Sequence, residues 1–440
     1  MNDFFFARSQ MAMSLVFHIV FAALGIGMPL LMVISEGMYL RTGKAIYLDL
    51  SKRWAKGTAI LFAVGAVSGT VLSFELGLLW PGFMEKAGAI IGMPFSLEGF
   101  AFFTEAIFLG VFLYGWKRLS PLKHWFSGVL VAISGILSGI FVVTANAWMN
   151  APTGFKLVDG KITDLDPIAA MLNPASFHEV LHMTLAAFVA TGFAVAAVHA
   201  FFLLRDRTNT FHRSALGIAL GLAAISAPLQ MLSGDISARA VGRLQPVKLA
   251  AMEAEYRTET GAPLIIGGLP NDETQTTDYA LRIPDGLSLL LTHTLHSKVA
   301  GLEEFPRNDW PNVRIVHWSF DIMVGAGTIL FLLSVMTGWL WWKKREVAGT
   351  KWLLRALVLC GPLGFIALEA GWMVTEVGRQ PWIIYGVMRT EQAVTPMHGV
   401  VIPFALFTVL YVFLAVVVVF LLRRQFLQSA NPAATPSSHA

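Results

Sequence analysis

Residues 398–422 read HGVVIPFALFTVLYVFLAVVVVFLL, 25 residues without an Asp, Glu, Lys or Arg. About 20 apolar residues in a helix cross the hydrocarbon core of a bilayer. A single chain can cross that medium as a helix because a helix satisfies its own backbone groups. Working back from this run, eight more stretches have the same character: 12–35, 57–80, 95–116, 125–148, 179–204, 214–233, 315–342 and 352–374. The prediction is an all-α polytopic membrane protein with nine transmembrane helices. The first run begins too late and is too long to read as a cleaved signal. The composition of the 440 residues agrees. Hydrophobic residues make up 55% and charged residues 14%, against about 25% charged in soluble domains, and the mean hydropathy is +0.63. A soluble enzyme, a disordered protein and a coiled coil are excluded. The net charge of +4 makes no case for nucleic acid, because the positive residues sit in short loops. The single cysteine, Cys360, lies in an apolar run. It permits neither an intramolecular disulfide nor a thiolate metal cluster.

Basic residues set the expected orientation. Of the 32 Lys and Arg, 18 fall in the loops after spans one, three, five and seven and in the C-terminal tail. Six fall in short segments on the other side, and eight in or beside residues 234–314. Short loops rich in Lys and Arg stay cytoplasmic, which places the N-terminus outside and the C-terminus inside. The chain then divides into six spans (1–233), a periplasmic loop (234–314), three spans (315–422) and a disordered cytoplasmic tail (423–440). A loop of about 80 residues is far longer than a simple connection and is expected to be functional. Within it Arg243–Tyr256 reads as a helix, with Pro246 in its first turn. Residues 265–278 read as a polar turn region, and 286–300 as a short apolar stretch lying against the bilayer surface.

Ionisable residues inside spans are expensive and mark sites. His18, Glu98, Glu105, His182, Met323, Glu376 and Arg379 all fall toward the outer ends of their spans. Glu98 and Glu105 are close to two helical turns apart, so both carboxylates face one way. His and Met are axial ligands of haem iron. A low-dielectric bundle that also holds carboxylates reads as a redox site with a proton supply. Each residue has an ordinary reading beside this one. Met323 is one of 18 methionines, and His178, His199 and His317 read as satisfied helix–helix histidines. Glu75 lies toward a solvated end, and Glu369 reads as paired with a polar neighbour. Trp372 and Trp382 read as interface anchors. Lys248 and Glu253 are either a surface charge pair or a donor and proton acceptor for a quinone ring.

The segment GWMVTEVGRQPW (371–382) resembles the signature of subunit I of the cytochrome bd-type quinol oxidases. LEGFAFFTEAIFLG (97–110), LNPASFHEVLH (172–182) and QPVKLAAMEAEY (245–256) carry the resemblance further, and it runs from about residue 6 to about 422. It implies that His18 ligates iron at a high-spin dihaem site, and that His182 and Met323 are the axial ligands of low-spin haem b558. It implies that Glu98 serves the oxygen-reducing haem, that Glu105 is the next acidic group on a proton path and that Glu376 binds haem b595. Trp372 would be the aromatic between haems, Arg379 a partner for haem propionates, and Lys248 and Glu253 the quinol-binding residues. The implied cofactors are haem b558, haem b595 and a third haem, d or b. The implied reaction is oxidation of ubiquinol and reduction of dioxygen to water in a bacterial inner membrane, with charge separation but no proton pump. The implied partners are a membrane subunit II and a single-span small subunit. GRQPWIIYGVMRT (378–390) and the short quinol loop resemble the cyanide-insensitive branch. Two departures stand out. Glu98 and Glu105 are one residue closer than in enterobacterial members, and Asp321 replaces an Arg near Met323. A haem-b quinol relay without oxygen reduction and a haem-free secondary transporter stay open. A carbon monoxide difference spectrum and Soret absorbance separate them.

Overall fold

The apolar runs fold as helices, and the helices continue past them. The computed structural model describes residues 3–430, with backbone alone for 426–430. Among the described residues nine segments are long and apolar enough to cross a membrane. The first four are α1 (Asp3–Thr42), α2 (Ala45–Leu79), α3 (Pro81–Tyr114) and α4 (Pro121–Asn150). A short helix, α5 (Pro167–Met171), leads into α6 (Ser176–Arg205) and α7 (Thr210–Leu244). The long loop carries α8 (Pro246–Met252) and α9 (Gly286–Thr292). Then follow α10 (Val313–Trp342), α11 (Lys351–Cys360), α12 (Leu363–Gly378) and α13 (Val401–Ala430).

Local chemistry fixes the ends. Proline opens α3, α4 and α8, where a missing N–H costs nothing. The side chains of Asn209 and Asn312 cap α7 and α10 by accepting the His212 and Ile315 amides. The eighth span is α11 plus α12, interrupted at Gly361–Pro362. Proline removes a helical hydrogen bond there, and a Cβ on Gly361 would stand 2.5 Å from the Ala197 Cβ of α6.

Sequence neighbours pack as pairs, and α1 also touches α4, α6 and α13. Close approach is bought with small residues. Gly27 meets Thr191, Gly192 meets Ala223 and Gly364 meets Ala190. Among the described side chains of α13 only Tyr411 and Val418 are buried. The N-terminus of α1, the C-terminus of α2 and the start of α13 meet at one end of the bundle. There Asp3 accepts the amides of Gly399 and Val400, and Leu79 accepts that of Thr395. The long loop sits at this same end, called the loop face below.

Several boundaries differ from the sequence expectation. α7 runs to Leu244, so the loop begins later than residue 234. The helix expected over 243–256 is only Pro246–Met252, because the chain breaks at Gln245 and turns at Ala254, φ +48°. The turn region of 265–278 is instead two antiparallel ladders. Leu264–Ile266 pairs with Leu281–Ile283, and Leu269–Asn271 with Thr276–Asp278. In the 286–300 stretch, Leu287 and Ser288 pack inward while Leu289 and Leu290 stay exposed. The tail expected from 423 to be disordered is instead helical to Ala430. Residues 431–440 lie outside the described residues.

Candidate functional site

Two histidines are prepared in the same way. On α2, Ser68 spends its hydroxyl hydrogen on its own helix, donating to Val64 C=O at 3.0 Å and Gly65 C=O at 3.1 Å. Its oxygen can then only accept, so the 2.9 Å contact is His18 Nδ1–H donating to Ser68. On α7, Ser233 donates to Gln230 C=O at 2.9 Å, and His182 Nδ1–H donates to Ser233 at 3.0 Å. In both rings the proton sits on Nδ1 and the Nε2 lone pair is left for a partner. At His182 that lone pair accepts from the Gln230 amide at 3.0 Å. Fixing the tautomer through the other nitrogen is how proteins orient a metal-binding imidazole.

A glycine packs beside each of the three ligand candidates, and at Gly69 and Gly371 a Cβ would crowd the side chain. A Cβ on Gly69 would come within 3.0 Å of the His18 ring, and one on Gly234 within 3.6 Å of the His182 ring. One on Gly371 would stand 3.0 Å from the Met323 sulphur. No cluster of three or more His, Cys, Asp or Glu suited to a bare metal ion occurs among the described residues. Single His and Met side chains fit an iron that brings its own four nitrogens. Trp372 packs against the buried cluster that includes Ile19 and Ala23, residues that follow His18 on α1. It therefore joins the His18 region to Glu376, one turn further along α12.

The two carboxylates of α3 both face α4. Glu98 accepts from Ser138 at 3.1 Å, and Glu105 is buried against Gly135. Their shared direction, read from the spacing, is borne out.

The sequence reading missed a polar network at the loop face. Its hub is Asn150, at the end of α4. The Asn150 carbonyl oxygen accepts from Lys248 Nζ at 3.0 Å, Arg379 Nη1 at 3.2 Å and Gln245 Nε2 at 3.4 Å. Its amide donates to Glu179 at 2.9 Å and Asn146 at 3.2 Å. Asn146 donates in turn to Glu376 at 2.5 Å, and the other Glu376 oxygen takes Arg379 Nη2 at 2.5 Å. Glu376 and Arg379 thus form an ion pair that the sequence reading did not foresee, built into a network of five segments.

Lys248 and Glu253 are not a surface pair, because both are buried. Lys248 points into the Asn150 network. Burial pulls its ammonium pKa down, against the opposing pull of Glu179. Glu253 points the other way, toward α10. Burial, then the Asp321 and Glu255 carboxylates, push it up to about 8. Asp321 faces the loop, accepting the Gly267 amide at 2.6 Å.

Other singled-out residues stand apart. Glu75 is fully buried rather than solvated. It accepts from Gln10 at 3.0 Å and Ser14 at 2.8 Å, on the stripe of α1 that continues to His18. Glu369 lines a groove of about 610 Å³ between α10 and α12. Neither of its oxygens has a hydrogen-bond partner among the described residues, so the expected polar neighbour is not there. His199 pairs with His212 at 2.9 Å. His178 is buried with both ring nitrogens unpartnered.

The nine-span bundle and its two prepared imidazoles are those of an integral membrane protein suited to carry haem. The family described as cytochrome bd terminal oxidase subunit I matches residues 6–430. A Bacillus subtilis protein named putative cytochrome bd menaquinol oxidase subunit I is 38% identical over 428 residues, 96% of each chain. The Escherichia coli cytochrome bd-II ubiquinol oxidase subunit 1 is 32% identical, over 95% of each chain. The solved bd oxidase from Geobacillus thermodenitrificans superposes with a TM-score of 0.92 at 37% identity. That match covers 97% of this chain and 99% of that one.

The chain belongs to the cytochrome bd terminal oxidase subunit I family. It is a subunit of a terminal quinol oxidase, a quinol:oxygen oxidoreductase of the bacterial membrane. Membership brings haem cofactors, a quinol substrate and a partner membrane subunit.

Proposed function

We propose that His182 and Met323 hold a low-spin haem, b558, and that His18, Glu98 and Glu376 serve a high-spin pair, b595 with haem d or a third haem b. The observation that carries this reading is the shared serine device at His18 and His182, which keeps the proton of each ring on Nδ1 and turns Nε2 to the acceptor role a metal needs, with the Gln230 amide as the group a metal would displace at His182. Haem supplies the electron-carrying and oxygen-reducing chemistry when bound, and the rest is the work of this chain. With His182 and Met323 both committed to it, the low-spin haem would have no place left for oxygen and would serve as an electron carrier. Trp372 fills the space between the His18 region and Glu376, keeping water out of it. Arg379, locked to Glu376 and Asn150, offers positive charge to haem propionates.

The loop over 245–312 is the quinol-binding element, on the periplasmic side, with the N-terminus outside and the C-terminus inside. Glu253, held up near 8, is a carboxyl that can exchange a quinol proton around neutral pH. Lys248 sets the charge of the wall opposite. Glu98 and Glu105 pass protons from the inner side toward the oxygen-reducing site. Charge separates because protons enter inside and leave outside, so no pump is required. The partner is a membrane subunit II with a single-span small subunit, and the short loop supports reading the chain as one of the cyanide-insensitive branch.

Glu98→Gln tests the proton role. It keeps the Ser138 hydrogen bond and removes the titratable group. Oxygen consumption in the purified complex should fall by about 10²-fold or more, the usual worth of a positioned acid–base group. Haem reduction by quinol should persist. Wild-type turnover in this variant would remove Glu98 from the mechanism.

A further inference from the structure

His317 opens α10 and has no exposed surface. Its Nδ1 lies 2.7 Å from the Met252 carbonyl oxygen at the end of α8. Its Nε2 lies 2.9 Å from the Gly267 carbonyl oxygen, between the two ladders of the loop. Carbonyl oxygens can only accept. A ring that serves both carbonyls at once does so as an imidazolium, with a hydrogen on each nitrogen. Asp321, one turn along the same helix, is its counter-charge, with an oxygen 3.5 Å from Nε2. The same oxygen accepts the Gly267 amide at 2.6 Å. Gly267 thus gives its carbonyl to the imidazolium and its N–H to the carboxylate.

We propose that His317 is a positioning residue for quinol oxidation: a charged clamp that seats the loop on α10. It holds Met252, the residue before Glu253, and Gly267 on the helix that carries Met323. A neutral imidazole has one N–H and could serve one of these two carbonyls, leaving the other buried and unpaired. The remaining charged groups nearby are consistent with a cation at this point. Glu253 approaches Asp321 from the segment after α8. Arg314, on α10 itself, reaches only the Pro270 carbonyl, at 3.5 Å. The ring is therefore the cation placed to offset Asp321. This inference rests on reading the loop as the quinol site.

The test is His317→Gln in the purified oxidase complex, read by limited proteolysis of the loop and by steady-state kinetics with a soluble quinol. The clamp predicts faster cleavage within 253–300 and a quinol KM raised about tenfold, equivalent to about 1.4 kcal/mol. It also predicts a much smaller change in kcat and an intact low-spin haem band. Asp321→Asn keeps an acceptor for the Gly267 amide and removes only the counter-charge. It should shift cleavage and KM in the same direction by less, and it carries the test if the glutamine variant does not assemble. Wild-type cleavage and KM in either variant would overturn the clamp. So would loss of the haem band with the loop still protected. Faster cleavage with an unchanged KM would uphold the clamp and count against the loop as the quinol site.

Discussion

His182→Ala is expected to remove the low-spin haem band from the reduced-minus-oxidised spectrum and to abolish quinol oxidation, while the complex still assembles. Losing an outer partner of a metal-bound histidine costs about 10–100-fold in affinity or activity, and losing the ligand itself costs more. The side chain lies between α6 and α7, facing Ser233, Gln230 and Gly234. Its removal deletes one imidazole from a tightly packed helix pair and leaves the apolar contacts of that pair in place. Ser233→Ala is the graded form of the same experiment. It removes the acceptor that holds the proton on Nδ1, so the band should weaken or shift rather than vanish. Retention of an unaltered band in His182→Ala would exclude this residue as the ligand.

Asn150→Leu should be the most destabilising single change at the loop face. The two side chains are similar in volume, but leucine accepts nothing. Lys248 and Arg379, both buried, would lose an acceptor together, and Glu179 would lose the donor at 2.9 Å. Leaving buried charged groups underpaired costs about 3 kcal/mol or more. A clear fall in the thermal midpoint of the purified complex should follow. Asn150→Asp should retain more stability, because it preserves the acceptor and adds a charge opposite two cations. A wild-type midpoint in Asn150→Leu would mean that Glu376 and Glu179 alone satisfy the network.

The spans were legible because the bilayer demands a long apolar run, and such a run is visible in one dimension. Their ends were not. α7 leaves its apolar core near residue 233 and runs on to Leu244 through Asp235, Arg239 and Arg243, which are compatible with a helix in water. The loop ladders are only three residues each, too short for an alternation to register. At the site, His18, His182, Glu98, Glu376 and Arg379 stood out because ionisable groups are rare in apolar runs. Asn146, Asn150, Ser68, Gln230 and Ser233 did not, because amides and hydroxyls are ordinary in membrane helices. Their meaning lies in partners far along the chain. Asn146 meets Glu376 across 230 positions, and Ser68 meets His18 across 50. Glu179 was passed over beside two histidines at a span end, where a carboxylate reads as solvated. Lys248 and Glu253 read as exposed because nothing local shows that α8 folds back against the bundle.

The central claim is that this chain grips two separate haem regions, one through His182 and Met323 and one around His18. Optical redox and carbon monoxide difference spectra of purified His18→Ala and His182→Ala complexes test it most directly. Complementary losses are expected. His18→Ala should lose high-spin, carbon monoxide-reactive haem and keep the low-spin band, and His182→Ala should do the reverse. Loss of the same signal in both variants, or of neither, would contradict it.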